Sequence, residues 1–265
     1  MGSTSPEACY LALLALAEEF RTMNPPNIRN CIQCLCAIFN LKQPPKIEAR
    51  THLQLGNILL QHTKNTDLAQ SHLEKSRLTL HEEIRSGFDD VKFEAASVLA
   101  DLYEKKNQIQ LAKSIAGKAV EISSKSPFWH CRLLFQLAHF HASEKDYVSA
   151  CNVLGIGADF AHVSGAHYTR ILFLLSKGML LMIDPGQVKS VKPCLKQLQQ
   201  GIQTITSLHA DEEVIPTNPA DMFQWMPKEH MCVLVYLVTV LHSMQAGYMD
   251  KAQKYTDKAL MQIEN

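Results

Sequence analysis

The chain of 265 residues has no excess of charge, since Lys plus Arg and Asp plus Glu number 26 each. A balanced chain has no bulk attraction for nucleic acid, which announces itself as a basic excess or stripe; no direct nucleic-acid contact is expected. It also lacks long apolar runs. Met231–Leu241 comes nearest, but it is followed by His242 and Gln245 and falls short of the roughly 18 residues a membrane span needs. Catalytic signatures are missing as well. There is no His-Glu-x-x-His, no Gly-x-Ser-x-Gly and no Walker-type loop, and nothing pairs a nucleophile with a base. Gly155-x-Gly157 has no strand before it, as a dinucleotide fingerprint requires. Neither catalysis nor a cofactor is expected. Gly and Pro, 11 each, exclude collagen-like or broadly disordered chains.

Eight cysteines are scattered along the chain, mostly beside Leu, Ile or Phe. Without a secretion signal they read as buried free thiols of a reducing compartment. The apolar run Cys9–Ala17 has no basic residue before it and runs into Glu18 and Glu19. It reads as a helix capped by Ser5, with Pro6 at its first position. Cys31-x-x-Cys34-x-Cys36 crowds three thiols onto one helix with no second ligand pair, short of the four ligands of structural zinc. His139 and His141, two apart on a helix, point to different faces. No metal site is expected.

What the chain does have is a pattern that returns about every forty residues. An apolar helix carrying a small residue is followed about twelve residues on by Ala or Ser, and another small residue comes about seven later. The anchors are Gly56, Ala69, Leu73 and Ser76; then Ala100, Ala112 and Ala119; then Ala138, Ala150, Leu154 and Gly157; and Ala252 with Ala259 near the C-terminus. This is the spacing of a tetratricopeptide-type helical hairpin, whose small residues let two helices approach closely. The fold class expected is all-α, a tetratricopeptide-like right-handed superhelix of about six hairpins.

Residues 1–206 read as five of these hairpins, with breaks at Asn24-Pro25-Pro26, Pro44-Pro45 and Asp184-Pro185-Gly186. Residues 207–227 read as a loop with three prolines, an acidic triplet and the apolar Phe223, Trp225 and Met226. Residues 228–265 form the sixth hairpin, whose last helix presents Ala252, Tyr255, Ala259 and Leu260 without a polar cap. Pro193, seven residues into its helix, predicts a kink or a later helix start.

Stacked hairpins line their inner face with the first helix of each pair, so partner-binding residues are expected at fixed offsets from the small residue. Those positions include Arg50 and Asn57; Glu94 and Asp101; Arg132, Phe135 and His139; Met179 and Met182; and Leu241. Leu53, Ser97, Leu172, Leu175, Leu237 and Met244 share the same register. The face turns from charged to apolar along the chain, and a Met-rich wall suits a peptide with few geometric demands. An unrelated adaptor gripping a terminal carboxylate is the alternative. It wants a cluster of Lys, Arg and Asn, which Arg50, Asn57 and Arg132 supply only in part, interrupted by Glu94 and Asp101.

Five stretches carry a family resemblance: "PPKIEARTHLQLGNILLQHTKN" from Pro44, "DVKFEAASVLADLYEK" from Asp90, "WHCRLLFQLAHFH" from Trp129, "GQVKSVKPCLKQLQQ" from Gly186 and "PKEHMCVLVYLVTVLHSMQAGYMDKAQKYTDKALMQIE" from Pro227. They resemble the smaller, helical-repeat subunit of the cohesin loading complex. The resemblance implies a nuclear, chromatin-associated scaffold without catalytic activity. It also implies a partner, the N-terminal region of the Nipped-B-like large loader subunit, and through it cohesin, chromatin and sister-chromatid cohesion. Relative to that family the chain is about half as long, and its junction at Met179–Pro193 is shortened by about one hairpin.

Overall fold

A computed structural model describes residues 5–79, 89–208 and 228–264, which form helices joined by short turns, with no strand among them. The expected loop therefore falls almost wholly outside the described residues. Among the described residues twelve α-helices follow one another: α1 Pro6–Thr22, α2 Ile28–Ile38, α3 Pro45–His62, α4 Thr66–Thr79, α5 Asp89–Lys105, α6 Ile109–Ile122, α7 Pro127–Ser143, α8 Tyr147–Val163, α9 His167–Ile183, α10 Val188–Leu208, α11 Lys228–Gln245 and α12 Met249–Glu264. The chain divides into two compact units, Met1–Ile115 and Ala116–Asn265.

Three helix starts carry a side-chain cap. The Ser5 hydroxyl accepts a hydrogen bond from the Ala8 N–H at 3.1 Å, with Pro6 opening the helix. Asn27 caps α2 through Asn30 N–H, and Asp146 caps α8 through Ser149 N–H; each ties down an amide that the first turn leaves without a partner. The turns use left-handed backbone where a tight reversal needs it: Asn107, Lys145, Gly165 and Gly247 have φ of 58°, 62°, 70° and 78°. Pro193 does not delay its helix. α10 begins at Val188, ahead of it, and the proline is exposed.

In the first unit α1 packs on α2, α2 on α3, α3 on α4, and both α3 and α4 on α5. The small residues make these approaches possible. A β-carbon on Gly56 of α3 would stand 2.8 Å from Leu73 Cγ of α4, and Ala69, Leu73 and Ser76 are all fully buried. The Ser76 hydroxyl donates to the Ala49 carbonyl at 2.8 Å, satisfying a buried polar group across the hairpin. In the second unit α7 packs on α8, α8 on α9, α9 on α10, and α11 on α9, α10 and α12. Its core runs through Leu134, Leu154, Phe173, Leu174, Leu198 and Val235. Here Gly157 of α8 meets Phe173 of α9, and Gly201 of α10 meets Ile171 of α9. On α12, Ala252 and Ala259 are buried, and Tyr255 is half-buried. Of the four residues expected on an uncapped face, only Leu260 is exposed; the small residues instead meet the preceding helix.

Candidate protein-binding face

The inner-face register sorts into surface and core. Arg50 is exposed and Asn57 half-buried on α3; Glu94 and Asp101 are half-buried on α5. Asn57 Nδ2 donates to Glu94 Oε1 at 3.3 Å, so two of the expected residues bridge neighbouring first helices of one unit. On α7 Arg132 and His139 are exposed, and the Arg132 guanidinium lies 5.9 Å from the Trp129 ring centre. Phe135 is half-buried and stacks on the Phe173 ring, centroids 4.0 Å apart. On α9 Met179 is 50% exposed, and Met182 packs against the core. On α11 Leu241 is 52% exposed.

Four positions of the same register are core instead: Leu53, Ser97, Leu172 and Leu175 are buried. A first helix has neighbours on both sides as well as its own hairpin partner, so part of the expected inner stripe is consumed by packing between first helices. What stays open is narrower. On α11 it is Leu237, Leu241 and Met244, at helical spacing and each about half exposed, while Met231, Val235 and Val238 face the core.

Sequence reasoning missed a cavity beside Asn57. Leu14, Ala17, Glu18 and Arg21 of α1, Cys31 and Leu35 of α2, and Gln54, Asn57 and Ile58 of α3 line an open pocket of about 200 Å³. The Gln54 Oε1 is buried there without a hydrogen-bond partner. Gln54 lies one residue past the inner-face position Leu53, so its only signal was a polar side chain within an otherwise apolar stretch.

A second polar cluster also went unread. Tyr103 Oη donates to Glu74 Oε1 at 2.7 Å, and Gln70 Nε2 donates to the same oxygen at 2.9 Å. Lys106 Nζ donates to Asp67 at 2.7 Å and to Gln70 Oε1 at 2.6 Å. Burial and the Glu74 carboxylate together push the Tyr103 phenol up to about 12. Burial works to raise Glu74, but the hydrogen bonds from Gln70 and Tyr103 outweigh it and hold the carboxyl below its usual range. The cluster fastens α4 to the end of α5.

Histidines likewise serve packing. His52 Nδ1 and His72 Nδ1 share one proton across 2.8 Å, and Phe39 lies over both rings. His130 shares a proton with Ser123 Oγ at 2.8 Å and leans on Phe160. His141 pairs with Asp146 at 3.2 Å. Cys31, Cys34 and Cys36 are buried, half-buried and exposed in turn, all as free thiols. No group of three or more His, Cys, Asp or Glu among the described residues could hold a metal ion. No described helix is long and apolar enough to cross a membrane.

A family model described as cohesin loading factor matches residues 9–214 and 182–265. The chain belongs to the cohesin loading factor family. Its relatives include the MAU2 chromatid cohesion factor homologs of Aedes aegypti, 48% identical over 308 aligned positions, and of Drosophila virilis, 46% identical over 308. Each alignment covers 99% of this chain and 49% of the relative, so the chain spans about half the length of the curated relatives it matches. The 308 aligned positions exceed the 265 residues present. At least 43 positions of the relative therefore face gaps here.

Solved structures fix the fold. The C-terminal part of a TPR repeat-containing protein from Cytophaga hutchinsonii superposes with a TM-score of 0.64 at 11% identity, over 97% of this chain and 83% of that one. BtubC from P. vanneervenii gives 0.60 at 13%, over 99% and 92%. The tetratricopeptide-like, all-α class expected from the anchor spacing is the class observed.

Proposed function

We propose that this cohesin loading factor chain is a non-catalytic scaffold, acting in cohesin loading and chromatid cohesion by holding an extended segment of another protein along its first helices. The partner is the N-terminal region of the large, Nipped-B-like loader subunit, and through it the chain reaches cohesin and chromatin in the nucleus. The observation that carries this reading is the half-exposed apolar row Leu237, Leu241 and Met244 on α11, in a chain whose relatives are named chromatid cohesion factors.

The face offers a partner two kinds of contact. Leu241 and Met179 present apolar surface, and Met adapts to different side chains at little cost. In the first unit Arg50, Asn57, Glu94 and Asp101 offer polar groups, and in the second unit Arg132 and His139 do. Phe135 and Met182 support this face from beneath, since both pack into the core. Many weak contacts on each unit suit a partner segment that orders as it binds.

The test is co-purification with the N-terminal region of the large loader subunit, using the intact chain and a Met179→Glu, Leu241→Asp double variant. Retention by the intact chain and its loss in the folded variant supports the reading; equal retention by both overturns the assignment of the face.

A further inference from the structure

α9 and α10 meet at the one stretch that both family matches cover. The two family matches overlap at residues 182–214, so this one stretch answers to two places in the family model. The relatives carry at least 43 aligned positions that this chain lacks. The repeat length here is the same size: α3, α5, α7 and α9 begin at Pro45, Asp89, Pro127 and His167, steps of 44, 38 and 40 residues. A gap of one full period removes a second helix and the following first helix together, leaving the alternation of helices intact.

We infer that α9 and α10 form a hybrid hairpin, the first helix of one ancestral repeat closed against the second helix of the next. The contacts show why such a join can hold. Gly178 leaves room for α10: a β-carbon there would sit 3.6 Å from Cys194 Sγ and 3.8 Å from Leu198 Cδ1. The Cys194 thiol donates to the Leu174 carbonyl at 3.3 Å. Gly201 admits the Ile171 side chain, which would otherwise meet a β-carbon at 2.9 Å. Val191, Leu195, Leu198 and Ile205 are buried.

The join changes the partner-binding face, and this consequence rests on the function proposed above. With one first helix gone, α11 packs directly on α9: the same Gly178 β-carbon position lies 3.8 Å from Val238 Cγ1. Met179 and Leu241 thereby occupy successive first helices, where the relatives place another first helix between. A partner segment reading the row in order meets these two apolar contacts without the intervening one.

Disulfide trapping tests the pairing with no partner present, so its outcome is separate from that of the co-purification. In a Cys151→Ser background, Gly178→Cys is oxidised with copper phenanthroline in air, and peptide mapping locates the bond, with Cys194→Ser added as the control. A bond from the introduced thiol to Cys194 in most molecules, abolished by the control, supports the hybrid hairpin. A bond to any other cysteine, or none in a folded variant, overturns it. Hydrogen exchange on the unaltered chain guards against a variant that fails to fold. α10 amides protected like those of α9 support the inference, and α10 amides exchanging at the rate of an unstructured peptide overturn it.

Discussion

Gly157 of α8 lies directly against the ring of Phe173 on α9, where a β-carbon at residue 157 would overlap the ring. Phe173 is fully buried, and its other side carries the stacked ring of Phe135, so the ring has no room to retreat. Gly157→Ala is expected to lower the stability of the second unit by about 3 kcal/mol, the upper part of the usual range for overpacking. Thermal unfolding followed by circular dichroism checks this; an unchanged midpoint would show that the helices can spread.

The His52–His72 pair predicts acid sensitivity. Burial, with the neighbouring His72 and Lys75 charges, lowers His52 from 6.5 to about 4; burial and Lys75 also lower His72. Both rings are therefore neutral in the folded chain when the unfolded chain would already bind protons. Stability is fully present above about pH 6.5 and declines as pH falls toward 4, by about 3 kcal/mol from His52 alone at roughly 1.4 kcal/mol per pH unit. Urea midpoints measured from pH 7.5 to 4.5 should fall, and a His52→Phe, His72→Leu variant should flatten the profile.

Tyr103→Phe keeps the ring and removes the O–H that donates to Glu74. The expected cost is about 1.5 kcal/mol, the worth of a hydrogen bond to a charged group. Glu74 should then titrate at higher pH than in the unaltered chain. Carboxyl NMR shifts report that change independently of stability.

Lys145 occupies a left-handed turn, φ 62°, between α7 and α8, and its side chain is exposed. Replacing it with glycine removes a steric penalty of about 1 kcal/mol and should raise the unfolding midpoint. Asn107→Gly should gain less, because asparagine tolerates that conformation better.

Met179→Glu and Leu241→Asp alter half-exposed side chains, so stability should change by no more than about 0.5 kcal/mol. Phe135→Ala, by contrast, strips the partner from Phe173 and should cost about 3 kcal/mol. If partner binding falls in the first pair without a change in unfolding midpoint, surface chemistry rather than folding explains the loss.

Much of the architecture could be read from spacing. Gly56, Ala69, Ala100, Ala112, Ala138, Ala150, Gly157 and Ala252 mark close helix approaches because only small residues permit them, and the prolines fall where turns are required. The inner face was harder. The offsets that place Arg132, Met179 and Leu241 on the surface equally place Leu53, Leu172 and Leu175 in the core, since a sequence offset gives direction on one helix but not how near the next helix comes. Clusters built across helices, such as Tyr103 with Glu74 or His52 with His72, left no local trace. Their partners are separated by 29 and 20 residues, and neither side chain alone breaks a pattern.

The order of helix packing also bears on how the chain comes to be made. The helix pairs described above join helices next to each other or two places along the chain. Loop closure is then cheap at each step. A hairpin can settle while the following one is still being synthesised, which is the order in which domains acquire structure during translation. Pauses in synthesis between hairpins should therefore be tolerated, and a ribosome halted once Thr79 has cleared the exit tunnel should already display a nascent chain whose first two hairpins resist protease.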